Sequence, residues 1–186
     1  MAEITVDRAE LPVAIRQFVL AWGDMGGQWG VNRSVSQIHA LLYLSEKSLT
    51  ADDIAESLAM ARSNVSNSIK ELLGWGLIRR VPVMGDRRDY FEAETDVWTI
   101  AANIAAGRKQ RELDPALASL AACVTAAEGD RAMNPVAVKR LKDMQAFTQT
   151  VSGWYDQMER VPRPSLMVLL RLGSRIVNFL PAKKAK

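Results

Sequence analysis

Between Thr50 and Glu92 the chain reads TADDIAESLAMARSNVSNSIKELLGWGLIRRVPVMGDRRDYFE, and no other stretch limits the fold as tightly. Thr50 with Asp53 three residues on is a helix-start signal, because the hydroxyl can accept from an otherwise orphaned backbone N–H of the first turn. Ile54, Ala55 and Leu58 give that short helix an inward face, and a brief gap follows. A second helix is expected from about Arg62 to Leu73, with Val65, Ile69, Leu72 and Leu73 inward and Gly74 and Gly76 ending it. Leu77 to Val83 and Asp89 to Ala93 read as paired strands joined by Met84-Gly85-Asp86-Arg87-Arg88. Pro82 removes one ladder donor, which suits a two-stranded hairpin with an open edge. The order (capped helix, tight turn, helix, basic hairpin) is that of a winged helix-turn-helix. The expected fold class is mainly α with a small β-wing.

Helices are expected on both sides of this block. Asp7 and Glu10 mark a first helix running to about Trp22, where Gly23, Gly26, Gly27 and Gly30 read as a flexible connector. They are no phosphate cradle, since no strand precedes them and no Gly-Lys-Ser/Thr ending follows. A second helix starts at Ser34 and ends near Glu46, with Val35, Ile38, Leu41, Leu42 and Leu44 at helical period. Beyond Thr95, Val97, Ile100, Ala101 and Ile104 share a face up to about Glu112. Pro115 then opens a segment capped by Asp114 and reaching Ala127. Asn134-Pro135 starts a helix to Arg160, and a last one occupies about Ser165 to Phe179. The division this suggests is an N-terminal helix and connector over 1–30, a winged domain over 31–95, and a C-terminal helical region over 96–186.

Net charge is only +3, so the distribution matters more than the total. Within residues 62–88, Arg62, Lys70, Arg79, Arg80, Arg87 and Arg88 face only Glu71 and Asp86, which makes the basic charge local. One cysteine, Cys123, excludes an intrachain disulfide, and one histidine, His39, leaves too few soft ligands for a structural zinc. Cys123 lies among Leu117, Leu120, Ala121 and Val124 and is expected to be buried and inert. His39 is expected to be partly exposed. The start MAEITVDRAEL lacks a basic region followed by an apolar one, and Leu166 to Leu170 is too short to span a bilayer. No metal, cofactor or membrane is implied, and a cytoplasmic protein is expected.

The outward positions of the second short helix are Arg62, Ser63, Asn64, Ser66, Asn67 and Lys70. Asn can pair bidentately with adenine, Arg with guanine, and Ser with base or phosphate, so this face has the chemistry of a major-groove reader. Any surface helix is polar outside. This one favours Ser and Asn over the Glu, Gln and Lys typical of a solvated face, and a basic hairpin follows it. Arg87 and Arg88 at the hairpin tip fit the minor groove, with Asp86 and Asp89 placed to orient their guanidinium groups.

These residues resemble the MarR superfamily, and more closely its GbsR-like branch. The resemblance covers about Trp29 to Leu113 through RSVSQIHALLYLS, LTADDIAESLAMARSNVSNSIKELLGWGLIRRV and GDRRDYFE. It implies a dimeric bacterial transcription regulator that binds double-stranded operator DNA, in a branch associated with choline and glycine betaine uptake or synthesis. Ala61 departs from the pattern, since such turns often carry a Ser or Thr cap.

A homodimer is expected, because readers of this size bind paired half-sites. Leu141, Met144, Thr148, Val151, Tyr155 and Met158 form a coiled-coil-like seam, and the terminal helices add apolar surface as dimerisation extensions. For a small effector, an aromatic cage built from Trp29, Trp98 or Trp154 is a candidate, weighed against the commoner use of Trp as core. The competing class is a winged-helix protein-interaction module without DNA contact. An enzyme is not expected, since no nucleophile and base can be placed together.

Overall fold

A computed structural model describes residues 11–173. It divides into two compact units, one ending at Ala105 and the other beginning at Ala106. No helix among the described residues is long and apolar enough to cross a membrane.

In the first unit, α1 (Val13–Gln28) packs on α2 (Arg33–Leu44). The expected end of α1 at Trp22 and the flexible connector are both corrected, because α1 continues through Gly23, Gly26 and Gly27. Close helix approach explains Gly23 and Gly26 better than mobility does, whereas Gly27 faces open space. A Cβ on Gly26 would lie 1.9 Å from Ser36 Oγ, and one on Gly23 would lie 2.6 Å from Gln37 Cγ. The start signal at Asp7 and Glu10 lies outside the described residues. Asn32 caps α2 by accepting from Ser34 N at 2.8 Å.

A short strand β1 (Leu49–Thr50) leads into α3 (Ala51–Leu58), and α4 (Arg62–Gly74) follows after three residues. Thr50 forms the expected start. Its hydroxyl accepts from Asp53 N at 3.2 Å, and its own backbone N–H donates to Asp53 Oδ2 at 2.8 Å. Strands β2 (Ile78–Val81) and β3 (Tyr90–Ala93) are shorter than the sequence suggests. The sheet has three antiparallel strands rather than two, in the order β1-β3-β2, with Leu49 opposite Phe91 and Arg80 also opposite Phe91. β1 has only two residues, too few for an alternation to announce it.

Ile38, Ile54 and Val65 are fully buried and Leu72 nearly so, with Val35, Leu41, Ile69, Ile78 and Phe91 around them. Each such side chain contributes roughly 1.5–3 kcal/mol of apolar transfer. The core thus binds α2, α3 and α4 to the sheet and fixes which face of α4 stays outside. The next helix, α5 (Val97–Arg108), adds Ile100 to this core, and Asn103 Nδ2 donates to Gly76 O at 2.8 Å. That bond pins the turn between α4 and β2, where Gly76 has a positive φ of 64°.

The second unit comprises a π-helical turn (Lys109–Leu113), α6 (Asp114–Gly129), α7 (Pro135–Glu159) and α8 (Arg163–Leu172). Asp114 is not the expected cap, since Leu113 before it is already helical and the chain runs on without a break. Instead its carboxylate accepts from Lys109 Nζ at 2.9 Å. Asn134 does cap α7, accepting from Val136 N at 2.8 Å. α8 begins two residues before the expected Ser165, and Ile176 and Phe179 lie outside the described residues.

Val124 and Ala127 of α6 and Thr148 and Ser152 of α7 are the buried residues among those described in this unit. The expected α7 seam is therefore split. Thr148 turns inward, while Met144 is exposed, as are Phe147 and Trp154. Cys123 is exposed, which corrects the expectation of burial. The inward stripe of α6 runs through Leu117, Leu120, Ala121 and Val124, and Cys123 falls beside it at about 100° per residue.

Candidate nucleic-acid interface

The second helix of the motif, α4, is held from below and ahead. Val65, Ser68, Ile69 and Leu72 point into the core. Arg62, Ser63, Asn67 and Lys70 are exposed, and Asn64 and Ser66 are half-buried. The turn into α4 relies on Ala59 in the left-handed region, at φ 51°. Ala61 provides no side-chain cap, as its methyl implies. Arg62 is paired with Asp52 of α3. Asn64 Nδ2 donates to Ser34 Oγ at 2.9 Å, which ties the start of α4 to the start of α2. Asn64 therefore braces the helix as well as facing outward, while Ser63 and Asn67 have no such tie.

In the wing, Asp86 accepts Arg88 Nε at 2.9 and 3.1 Å and Arg88 Nη2 at 2.6 Å. The Arg88 backbone N–H also donates to Asp86, at 2.9 Å. Tyr90 closes the cluster, donating to Asp86 Oδ2 at 2.8 Å and accepting from Arg88 Nη2 at 2.8 Å. The Arg88 side chain holds the Asp86 carboxyl well below its usual range, and Asp86 in turn raises the Arg88 guanidinium and the Tyr90 phenol. Such bidentate pairing fixes direction as much as it attracts. Arg87, next in sequence, is exposed and has no partner among the described residues. The two tip arginines thus have different settings: Arg88 is clamped in the wing and Arg87 is free to reach.

Arg79 pairs with Glu92, and Arg80 lies 3.9 Å from Asp89. Asp89 therefore serves the strand rather than the tip. Sequence reasoning missed Tyr90, Asp52 and Ser34. For Tyr90 a signal existed, since Asp86, Arg88 and Tyr90 alternate and so share one face of extended chain. Asp52 and Ser34 carry no such signal, because their partners come from other elements.

Trp29 and Trp98 are exposed on the first unit, and Trp154 is exposed on the second, with its ring edge-on to Tyr155. His39, expected to be partly exposed, is buried at 4% accessibility, and its Nε2 has no hydrogen-bond partner among the described residues. Its ring lies 6.3 Å from both Trp22 and Tyr43, beside a recess of about 250 Å³ lined also by Phe18, Val97 and Ile100. Burial pushes its pKa down to about 4. The sequence gives no warning of this, because the α2 stripe of Val35, Ile38 and Leu42 does not require its neighbour to be inside as well.

A braced helix presenting Ser, Asn, Arg and Lys beside a basic β-wing defines a winged helix-turn-helix domain. Residues 29–89 match the MarR family. This segment of the chain is similar to MarR-family winged helix-turn-helix domains. The HTH-type transcriptional repressor GbsR of Bacillus subtilis (strain 168) is 26% identical over 85 residues, which cover 46% of this chain and 47% of that protein. The putative HTH-type transcriptional regulator YvaV of the same organism is 24% identical over 70 residues, covering 38% of this chain and 40% of that one. The matched region thus spans less than half the length of either relative. A crystal structure described as a transcriptional regulator shares the fold with a TM-score of 0.63 at 18% identity, covering 78% of this chain and 95% of that one.

Proposed function

We propose that the protein is a sequence-specific, DNA-binding transcription regulator of bacterial type that acts in the cytoplasm and is not an enzyme. In this reading α4 enters the major groove and the wing reaches the adjacent minor groove. The observation that carries it is the outward face of α4, where Arg62, Ser63, Asn67 and Lys70 are exposed above a rigid core. Asn67 is the best placed to read a base, and Arg87 is the side chain for the minor groove or its phosphates. Arg88 sets the wing's shape.

An electrophoretic shift assay with DNA flanking the protein's own gene, at two salt concentrations, tests this. Specific binding that weakens steeply with salt is expected. Absence of binding at low salt would favour the protein-interaction module instead. Asn67→Ala should cost about 1–3 kcal/mol on the cognate site and relax specificity. Equal losses on cognate and random DNA would remove the base-reading role.

The reading includes a homodimer, with exposed Met144, Phe147 and Trp154 of α7 as the apolar surface a second copy would cover. Sedimentation at two protein concentrations decides the association state. A small effector completes it. The recess beside His39, walled by Phe18, Trp22 and Tyr43, offers an enclosed aromatic lodging for it. Titrating choline and glycine betaine while following tryptophan fluorescence tests the ligand class that the GbsR-like sequence resemblance implies; a flat response to both disposes of that osmolyte class.

A further inference from the structure

Between α3, α4 and the wing lies a recess of about 280 Å³. Arg62 and Lys70 of α4, Arg80 of β2 and Arg88 of the wing line it, against the carboxylates Asp52 and Asp89. Like charges gathered from three elements repel one another unless something answers them. Asp52 answers Arg62, and Asp86, just outside the recess, answers Arg88. Arg80 has only Asp89 at 3.9 Å, and Lys70 has no partner among the described residues. Ser66 adds a hydroxyl with no hydrogen bond among the described residues, and the apolar Ile69 and Phe91 form the floor, which lowers screening behind the charges.

We propose that this recess is a seat for one phosphoryl group, with Lys70 and Arg80 supplying its charge and Ser66 a hydrogen bond. The duplex backbone between the grooves read by α4 and the wing is one source of that group, and free phosphate is another. As a DNA contact the seat rests on the regulator reading; as an anion site it does not. Asp52 and Asp89 act through the arginines they hold, directing two guanidinium groups while limiting the net positive charge.

Two arms separate the sources. In the first, the salt dependence of DNA affinity is measured for the full chain, Lys70→Gln/Arg80→Gln, and Arg79→Gln as a control, whose side chain is already paired with Glu92. One lost phosphate contact lowers the slope of log K against log salt by about 0.9. The double variant should lose about that much, and Arg79→Gln almost nothing. A loss of about 1.8 would mean two separate phosphates and would overturn the single seat. In the second arm, inorganic phosphate is titrated against chloride at matched ionic strength, with the backbone amides of Ser66, Lys70 and Arg80 followed by NMR. Shifts confined to these residues and lost in the double variant support the seat even if the chain binds no DNA, and point to free phosphate. A slope change without such shifts assigns it to the duplex alone. No slope change and no shifts together overturn the proposal.

Discussion

The two compact units differ in how far each satisfies its own apolar residues. In the first, Ile38, Ile54 and Val65 are wholly buried and Leu72 is 1% accessible. Among the described residues of the second, burial is confined to Val124, Ala127, Thr148 and Ser152, while Phe147 is 66% accessible and Val136, Met144 and Trp154 are each 55%. Surface hydrophobics scattered singly need no explanation. Several on one long helix, above a core of small residues and hydroxyls, do need one. The first unit has the interior of a self-sufficient domain, and the second resembles half of an interface. The surface proposed to read DNA is thus on the first unit, and the surface proposed for self-association is on the other.

Substitutions in the two units should therefore behave differently, and the largest effect belongs to the core. Leu72→Ala removes a side chain that no relaxation can replace with water, and should cost about 2–5 kcal/mol in urea unfolding. Phe147→Ala, of similar chemistry but exposed, should leave a dilute sample within about 0.5 kcal/mol of the parent. At high concentration its sedimentation should shift towards the monomer. A large loss for Phe147→Ala in dilute solution would mean that α7 is covered from within, and the comparison would fail.

His39 gives the first unit a pH dependence. Its folded pKa near 4 lies below the ordinary 6.5, so the unfolded chain binds the proton more readily. The stability tied to its neutral form is complete above pH 6.5, falls as pH drops from 6.5 to about 4, and levels off below. The total is at most about 3 kcal/mol. Unfolding curves of the parent and His39→Leu across this range measure it, and the variant should lose most of the slope. An unchanged slope would assign the effect to carboxylates instead.

How much of this was legible in the sequence depended on whether a contact was local. The α3 cap was readable because Thr50 and Asp53 lie within one turn. The inward face of α4 was readable because its spacing is helical, and the wing pairing because turn residues stand between two alternating runs. What was lost required a distant partner. The glycines of α1 read as breakers until α2 is seen against them, and β1 is a strand only because β3 runs beside it. At the interface, residue types indicated the outward face, but only the fold separates Arg87 from Arg88 and ties Asn64 to Ser34.

Gly26→Ala probes that misreading directly. An added methyl would sit 1.9 Å from Ser36 Oγ, so α1 and α2 would have to part. Overpacking of this kind costs about 1–3 kcal/mol, against a helix-propensity gain of roughly 1 kcal/mol. A net loss is expected in urea unfolding. A net gain would return Gly26 to the role of an unneeded helix breaker.

The smallest effect has the opposite sign. Ala59 is exposed and adopts φ 51° in the turn between α3 and α4, a conformation that costs a residue with a Cβ about 1–2 kcal/mol. Ala59→Gly removes that strain but loosens the unfolded chain by roughly 0.4–1 kcal/mol. The balance is a stabilisation below about 1 kcal/mol, visible as a small rise in the urea midpoint. DNA affinity should not change, because the methyl group neither supports α4 nor lies on its outward face. A drop in affinity without loss of stability would show that the turn itself sets the angle of the reading helix, and the rigidity assigned to the first unit would then rest partly on a single alanine.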